Sequence, residues 1–125
     1  MDGIIVNEFR NWAGTVDHKC ILPNRYPCLN LWEHPSINWN GDVMLCCQTF
    51  GFLRDGVIGN VEESSLQEIW TKNKRLHKIR LGHLQGDYTG ASVCVNCTSW
   101  KNYPNIFNSI VKKILYNYSR SKLRD

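Results

Sequence analysis

The alternation of apolar and polar residues is clearest near the end of the first third of the chain. Residues 36–39 and 42–45 alternate on either side of Asn40-Gly41. Alternation with a period of two predicts half-buried strands. Asn-Gly is the preferred pair for a tight turn in which both residues adopt positive φ. This stretch therefore predicts a β-hairpin.

Side chains alternate across the second strand of this hairpin. Val43, Leu45 and Cys47 share one face, whereas Met44 and Cys46 share the other. The two neighbouring thiols therefore point apart, and we expect only one of them to reach a given metal unless the strand breaks there. We interpret Cys47, which follows Val43 and Leu45 on a core-facing side, as a small buried hydrophobe.

A helical pattern begins after residue 64. Ser65 and Glu68 form a capping box, in which each side chain satisfies a backbone donor at the start of a helix. Gly82 is the predicted end of this helix. The positions that recur at helical spacing are Leu66, Ile69, Trp70, Leu76 and Arg80.

The C-terminal segment predicts a second, amphipathic helix. Pro104 suits its first turn, and a single apolar stripe follows, opposed by polar residues. The stripe consists of Ile106, Phe107, Ile110, Val111, Ile114, Leu115 and Tyr118. We interpret this stripe as a face that packs against the core.

These elements predict an α+β fold: a small Cys-rich metal-binding domain in which a β-hairpin is followed by helices, irregular loops and the amphipathic C-terminal helix. We expect three parts. Residues 1–19 form a connector with a short strand at residues 4–6, residues 20–100 form the metal-binding domain, and residues 101–125 form the C-terminal helix with its basic tail. The folded core is expected to start near Cys20.

The net charge of +4 is concentrated at the C-terminus. Residues 1–111 carry ten Lys or Arg and ten Asp or Glu, while five basic residues and one acidic residue follow. The neutral body argues against a nucleic-acid-binding core, and we interpret the basic tail as a solvated face. No window approaches the roughly 20 apolar residues that a membrane span needs.

The first twelve residues lack the long apolar run of a signal peptide, so we expect a cytoplasmic protein. Disulfides are disfavoured in that compartment, and clustered cysteines there more often bind metal. Cys94 and Cys97 form a C-x-x-C pair, which together with Cys28 and Cys46 supplies four sulfurs. A tetrahedral zinc site and a cubane iron–sulfur cluster both take four thiolates, so this pattern leaves both open.

The order of residues along the chain adds a more specific signal. The pattern runs through Cys28, Trp32, Ile37, Asn40-Gly41, Cys46-Cys47, VIGNVEESSLQEIW at 57–70, Arg80, His83, Gly86 and Cys94-x-x-Cys97. In this order it resembles a SPASM domain, the auxiliary iron–sulfur module at the C-terminus of many radical S-adenosylmethionine enzymes. FRNWAG at 9–14 is similar to the end of the catalytic barrel in that family.

The resemblance implies that Cys28, Cys46, Cys94 and Cys97 ligate a 4Fe–4S cluster, with Cys47 or Cys20 as alternates. No cysteine follows Cys97, so the chain is similar to the shortened, one-cluster form. The family's radical-generating C-x-x-x-C-x-x-C motif is absent from the sequence. The resemblance thus implies an electron-transfer accessory that is not catalytic alone.

Its implied partners are a radical S-adenosylmethionine barrel, in the same parent chain or separate, and the peptide or small-molecule substrate of that barrel. The alternative is a structural zinc module with four cysteine ligands that docks a partner protein. Zinc can also replace a cluster in aerobic preparations, because it prefers the same tetrahedral thiolates.

Aromatic and histidine side chains complete the set of candidates. We predict that Trp32 and Trp100 keep water off the metal site, and that Trp70 packs in the core. His83 follows the predicted helix end, where it could cap the helix or donate to a sulfur or carbonyl. His18 and Cys20 form a His-x-Cys pair, which we interpret as containing a spare thiol.

Overall fold

A computed structural model describes residues 3, 11–14, 16, 24–49, 54–102 and 109–124. Within these residues the chain forms an antiparallel sheet of three strands and five α-helices, which confirms the α+β class. The strands, in sheet order, are β1 Ser36–Ile37, β2 Asp42–Met44 and β3 Val57–Asn60. The helices are α1 Asn30–Glu33, α2 Leu66–Lys72, α3 Lys74–Gln85, α4 Ser92–Val95 and α5 Ser109–Arg124.

Three predicted features lie outside the described residues. They are the strand at residues 4–6, Cys20 and the helix start at Pro104. Among the helices that are described, none combines the length and the apolar character needed to cross a membrane.

The predicted hairpin is present, because β1 and β2 pair antiparallel around Asn40-Gly41. Its turn is wider than predicted. Asn38 N–H donates to the Asp42 carbonyl at 2.9 Å, and Gly41 N–H donates to the Asn38 carbonyl at 3.0 Å. Of the Asn-Gly pair, Gly41 alone has positive φ, at 84°. The prediction that both residues adopt positive φ is therefore wrong, and the left-handed conformation falls on the residue that has no Cβ.

Burial along β2 does not follow the simple alternation. Val43, Met44 and Leu45 are all fully buried, since β1 and β3 flank β2 and the core covers it. The strand ends at Met44, and the chain turns directly afterwards. Cys46 is buried and Cys47 is exposed, so the two thiols do differ in direction. The predicted burial of Cys47 is wrong, because strand parity no longer applies beyond the strand end.

The predicted first helix is present as two helices. Ser65 Oγ accepts the Glu68 N–H at 3.2 Å, which is one half of the predicted capping box. The Glu68 carboxylate, predicted to accept a backbone N–H, pairs with Lys72. Asn73 interrupts the helix in an extended conformation, and its side chain caps α3 by accepting the Leu76 N–H at 2.8 Å. The helical spacing of the predicted residues therefore continues through α2 and α3, although the backbone breaks at Asn73. The Asn73 side chain stabilises this break by capping α3.

Helix α3 ends later than predicted. It passes through Gly82 and stops at Gly86, which has the left-handed φ of 83° typical of a helix C-terminus. A glycine inside a helix costs only about 1 kcal/mol relative to alanine, so Gly82 does not end it. The Gly82 carbonyl accepts the Asp87 N–H at 2.8 Å in the closing turn. As a result His83 lies inside the helix and not after it.

Helix α5 packs against α3 along a narrow face. Ser119 is buried in this interface, and the rings of His77 and Tyr118 meet edge to face at 5.7 Å. Ile110 and Ile114 are 69% and 61% exposed. The prediction that the whole apolar stripe packs against the core is wrong for these two residues, because α3 covers only the neighbouring side of α5.

We expect His77 to make the metal-free protein less stable in mild acid. Burial lowers the pKa of His77, and the nearby positive charges of Arg80 and Lys122 act in the same direction, although the hydrogen bond with the Thr71 carbonyl opposes them. In mild acid, His77 therefore binds a proton in the unfolded chain more readily than in the folded chain. Stability is complete above the unfolded pKa of about 6.5 and falls as the pH drops below it.

Urea unfolding of metal-free protein between about pH 5 and 8 measures this effect. His77→Gln keeps an N–H group that can reach the Thr71 carbonyl but does not titrate, so its stability should depend less on pH than that of the wild type. Equal pH slopes for the two proteins would contradict the prediction.

Candidate metal centre

Four of the cysteines line one cavity. Cys28 precedes α1, Cys46 follows β2 by two residues, Cys94 lies in α4, and Cys97 follows α4 by two residues. Two distant segments of the chain thus bring the predicted ligand set together. No three His, Cys, Asp or Glu side chains of the described residues converge on a single ion-sized point.

Three of these thiols are buried, and burial raises their pKa values. Burial raises the pKa of Cys28 to about 12 and that of Cys46 to about 11, and it also raises the pKa of Cys94. The neighbouring thiols raise these pKa values further. The sulfurs of Cys28, Cys46 and Cys94 therefore hold their protons in the metal-free protein, and metal binding must release them.

Backbone amides point at three of the four sulfurs. In each case one donor is the N–H group two residues after the cysteine, and Cys46 has a second donor in the N–H group of Thr49. The donors are Asn30 for Cys28, Gln48 for Cys46 and Ser99 for Cys97, the last at 3.4 Å. Hydrogen bonds of this kind favour the thiolate form and stabilise negative charge on a metal-bound sulfur. The local turns are therefore shaped for thiolate ligation, which an apolar core would not require.

Arg25 brings a positive charge to the cavity. Its guanidinium donates to the carbonyls of Cys94 at 2.6 Å and Val95 at 2.9 Å, and it stacks over the Tyr88 ring at 3.9 Å. This contact fixes the first cysteine of the C-x-x-C loop and partly offsets the charge of the thiolates. Sequence reasoning missed Arg25, because it lies in an irregular segment with no pattern to mark it.

The tryptophans divide between the cavity and the core. Trp100 is buried, lines the cavity and meets Tyr26 edge to face at 4.8 Å, so it is placed to exclude water as predicted. Trp32, predicted for the same role, packs against the hydrophobic core instead. Trp70 also packs against the core, as predicted, with the Arg80 guanidinium 4.8 Å from its ring centre.

The segment before Cys20 takes part in the site. Asn11 is buried, its Oδ1 accepts the Thr98 N–H at 2.9 Å, and its Nδ2 donates to the Asn96 carbonyl. Ala13 belongs to the hydrophobic core. Packing therefore begins at least nine residues earlier than the expected start near Cys20, and it holds the loop that carries the C-x-x-C pair.

We expect Asn11→Ala to destabilise the metal-free protein by about 2 kcal/mol, because it leaves buried polar groups of residues 96 and 98 without partners. Asn117→Ala, an exposed change on α5, is the matched control and should have almost no effect. Urea unfolding measures both. Equal unfolding midpoints for the two variants would contradict the role assigned to Asn11.

Comparison with known families identifies the family of the chain. Residues 28–98 match the family model of the SPASM domain, an iron–sulfur cluster-binding domain. This match covers more than half of the 125 residues. The chain belongs to the SPASM family. The resemblance seen in the sequence is thus confirmed. No curated protein and no solved structure matches the chain.

This SPASM domain binds an iron–sulfur cluster, and the cavity fits one. It offers four thiols, backbone donors to three of their sulfurs, the nearby Arg25 cation and the Trp100 ring. The family match begins at Cys28 and ends one residue after Cys97. The alternate ligands are placed differently. Cys47 is exposed and does not line the cavity, and Cys20 lies outside the described residues.

Proposed function

We propose that this SPASM domain holds one 4Fe–4S cluster through Cys28, Cys46, Cys94 and Cys97, and that it serves a radical S-adenosylmethionine enzyme as an auxiliary electron-transfer module. The observation that carries the proposal is the meeting of these four thiols, from two distant segments, at one cavity. Four thiolates are the usual ligand set of a cubane cluster.

The residues around the cavity support a redox role over a catalytic one. Four cysteine ligands would leave no iron open to substrate, so direct substrate activation is not expected. When bound, a cluster of this type supplies one-electron storage. The backbone donors and Arg25 balance the negative charge of the site, and Trp100 limits access of water. These contacts set how readily the site accepts an electron.

The sequence supports an accessory role. None of its six cysteines forms the C-x-x-x-C-x-x-C motif with which the family's barrels cleave S-adenosylmethionine. In the proposal that step belongs to a barrel, in the same parent chain or separate. The barrel also selects the substrate, a peptide or a small molecule. The domain would accept or return one electron during that reaction, in the cytoplasm.

Anaerobic reconstitution tests the cluster assignment. We expect about four irons and four sulfides per chain, broad visible absorbance, and a paramagnetic state after one-electron reduction. Adding S-adenosylmethionine should leave the spectrum of that state unchanged. A colourless protein that holds one zinc under these conditions would contradict the proposal and favour the structural zinc module.

The accessory role has its own test. The reduced domain, mixed with an oxidised radical S-adenosylmethionine barrel that lacks an auxiliary cluster, should lose its electron to the barrel. A reduced state that persists in the presence of every such barrel, in a protein with the expected iron content, would contradict the electron-transfer role.

A further inference from the structure

His83 reaches the cluster cavity from α3. It is 1% exposed and lines the cavity together with the four cysteines. Its Nδ1 atom accepts the backbone N–H of Cys28 at 3.3 Å. Its ring also meets Tyr88 edge to face, with 4.8 Å between the ring centres. These two contacts fix the orientation of the imidazole beside the first of the proposed ligands.

The hydrogen bond from Cys28 determines where the His83 ring carries its proton. An Nδ1 atom that accepts a hydrogen bond has no hydrogen of its own. A protonated ring carries hydrogen on both nitrogens, so a ring whose Nδ1 accepts a hydrogen bond is neutral. The hydrogen of a neutral ring must then reside on Nε2, which makes Nε2 a donor.

That donor lacks an acceptor within the described part of the chain. Nε2 of His83 is buried and makes no hydrogen bond to any described residue. Buried polar groups in native proteins nearly always have a partner. His77, on the same helix, also has one buried ring nitrogen without a partner, its Nδ1, while its Nε2 pairs with the Thr71 carbonyl at 3.0 Å. The difference is that His83 faces the cavity.

We propose that the Nε2–H group of His83 donates a hydrogen bond to a sulfur of the bound cluster, either an inorganic sulfide or a cysteine Sγ, and so raises the reduction potential of the cluster. The inference rests on the proposed function, since it needs a cluster in the cavity. Reduction adds negative charge to the sulfurs, so an N–H donor stabilises the reduced form more than the oxidised form.

Two substitutions separate the two nitrogens of the ring. In His83→Asn the amide oxygen takes the place of Nδ1 and can still accept the Cys28 N–H, but nothing replaces Nε2. In His83→Gln the longer side chain places an amide N–H near the position of Nε2. The first variant therefore removes the proposed donor, and the second keeps it.

The measurement is the reduction potential of anaerobically reconstituted protein, with iron and sulfide counted in each sample. His83→Asn should shift the reduction equilibrium at least tenfold towards the oxidised form, about 59 mV for one electron. His83→Gln should remain close to the wild type. Equal potentials in all three proteins would overturn the inference, and so would equal shifts in both variants, because they would indicate only a space-filling role.

A second measurement needs no variant that might fail to assemble. Wild-type protein containing isotope-labelled histidine should show, in pulsed EPR of the reduced state, coupling between the electron spin and a ring nitrogen. Absence of that coupling would overturn the inference. A wild-type chain without iron and sulfide would instead overturn the proposed function, so the two failures are distinguishable.

Discussion

Cys94→Ser is expected to abolish cluster binding, lowering the iron content from about four per chain to near zero under the same anaerobic conditions. A serine hydroxyl is a poor ligand for iron, and Cys94 lines the cavity as the first cysteine of the C-x-x-C pair. Because the cluster would join this loop to the segments of Cys28 and Cys46, its loss should loosen residues 28–97 as one unit. Iron and sulfide analysis with amide hydrogen exchange measures both effects.

Two further substitutions serve as controls. Cys47→Ser changes the exposed thiol next to Cys46, and Cys20→Ser changes the thiol outside the described residues. Both should retain the full iron content. A proportional loss of iron in either variant would contradict the ligand set. If Cys94→Ser lost its iron while the hairpin and α2 kept the protection of the loaded wild type, the shared site would be wrong.

The second large effect concerns Arg80, which is 2% exposed and joins three elements. Its Nε donates to the Leu31 carbonyl of α1 at 2.9 Å, and its Nη1 donates to the Trp70 carbonyl of α2 at 3.3 Å. Burial lowers its pKa to about 10, so it remains charged near neutral pH. Arg80→Met should destabilise the metal-free protein by about 3 kcal/mol, because it leaves two carbonyls without their donor.

The change should also weaken cluster retention, since α1 directly follows the Cys28 segment. Lys78→Met lies on the exposed side of the same helix and should alter stability by no more than about 0.5 kcal/mol. Arg80→Lys keeps the charge but cannot bridge both carbonyls, so it should resemble Arg80→Met. Urea unfolding and the rate of iron release to a chelator measure these effects. Equal stability of the Arg80→Met and Lys78→Met proteins would contradict the role of Arg80.

Local chemistry explains which parts of the fold could be predicted from the sequence. Asn40-Gly41 marks a turn, and Ser65 marks a helix start, because each effect depends on residues only a few positions apart. The spacing of the proposed cysteine ligands could likewise be recognised from the sequence. The C-x-x-C pair, together with the order of the other motifs, predicted the family that the comparison then confirmed.

Contacts between distant residues explain what the sequence did not reveal. Arg25 binds a carbonyl 69 residues later in the chain, and Asn11 binds a partner 87 residues later. Neither contact leaves a periodic signal. The exposure of Ile110 and Ile114 had a similar cause, since the apolar stripe of α5 does not show how much of it α3 covers. Because the helix was predicted to end at Gly82, His83 was placed after it in a loop. In the structure His83 lies in α3 and lines the cavity.

The most direct test of the account is an iron anomalous difference map from crystals of anaerobically loaded protein. We expect one group of iron atoms, each within bonding distance of the Sγ atom of Cys28, Cys46, Cys94 or Cys97. Iron bound elsewhere, or a fully loaded protein in which the Cys28 and Cys46 sulfurs lie beyond bonding reach of that group, would contradict it.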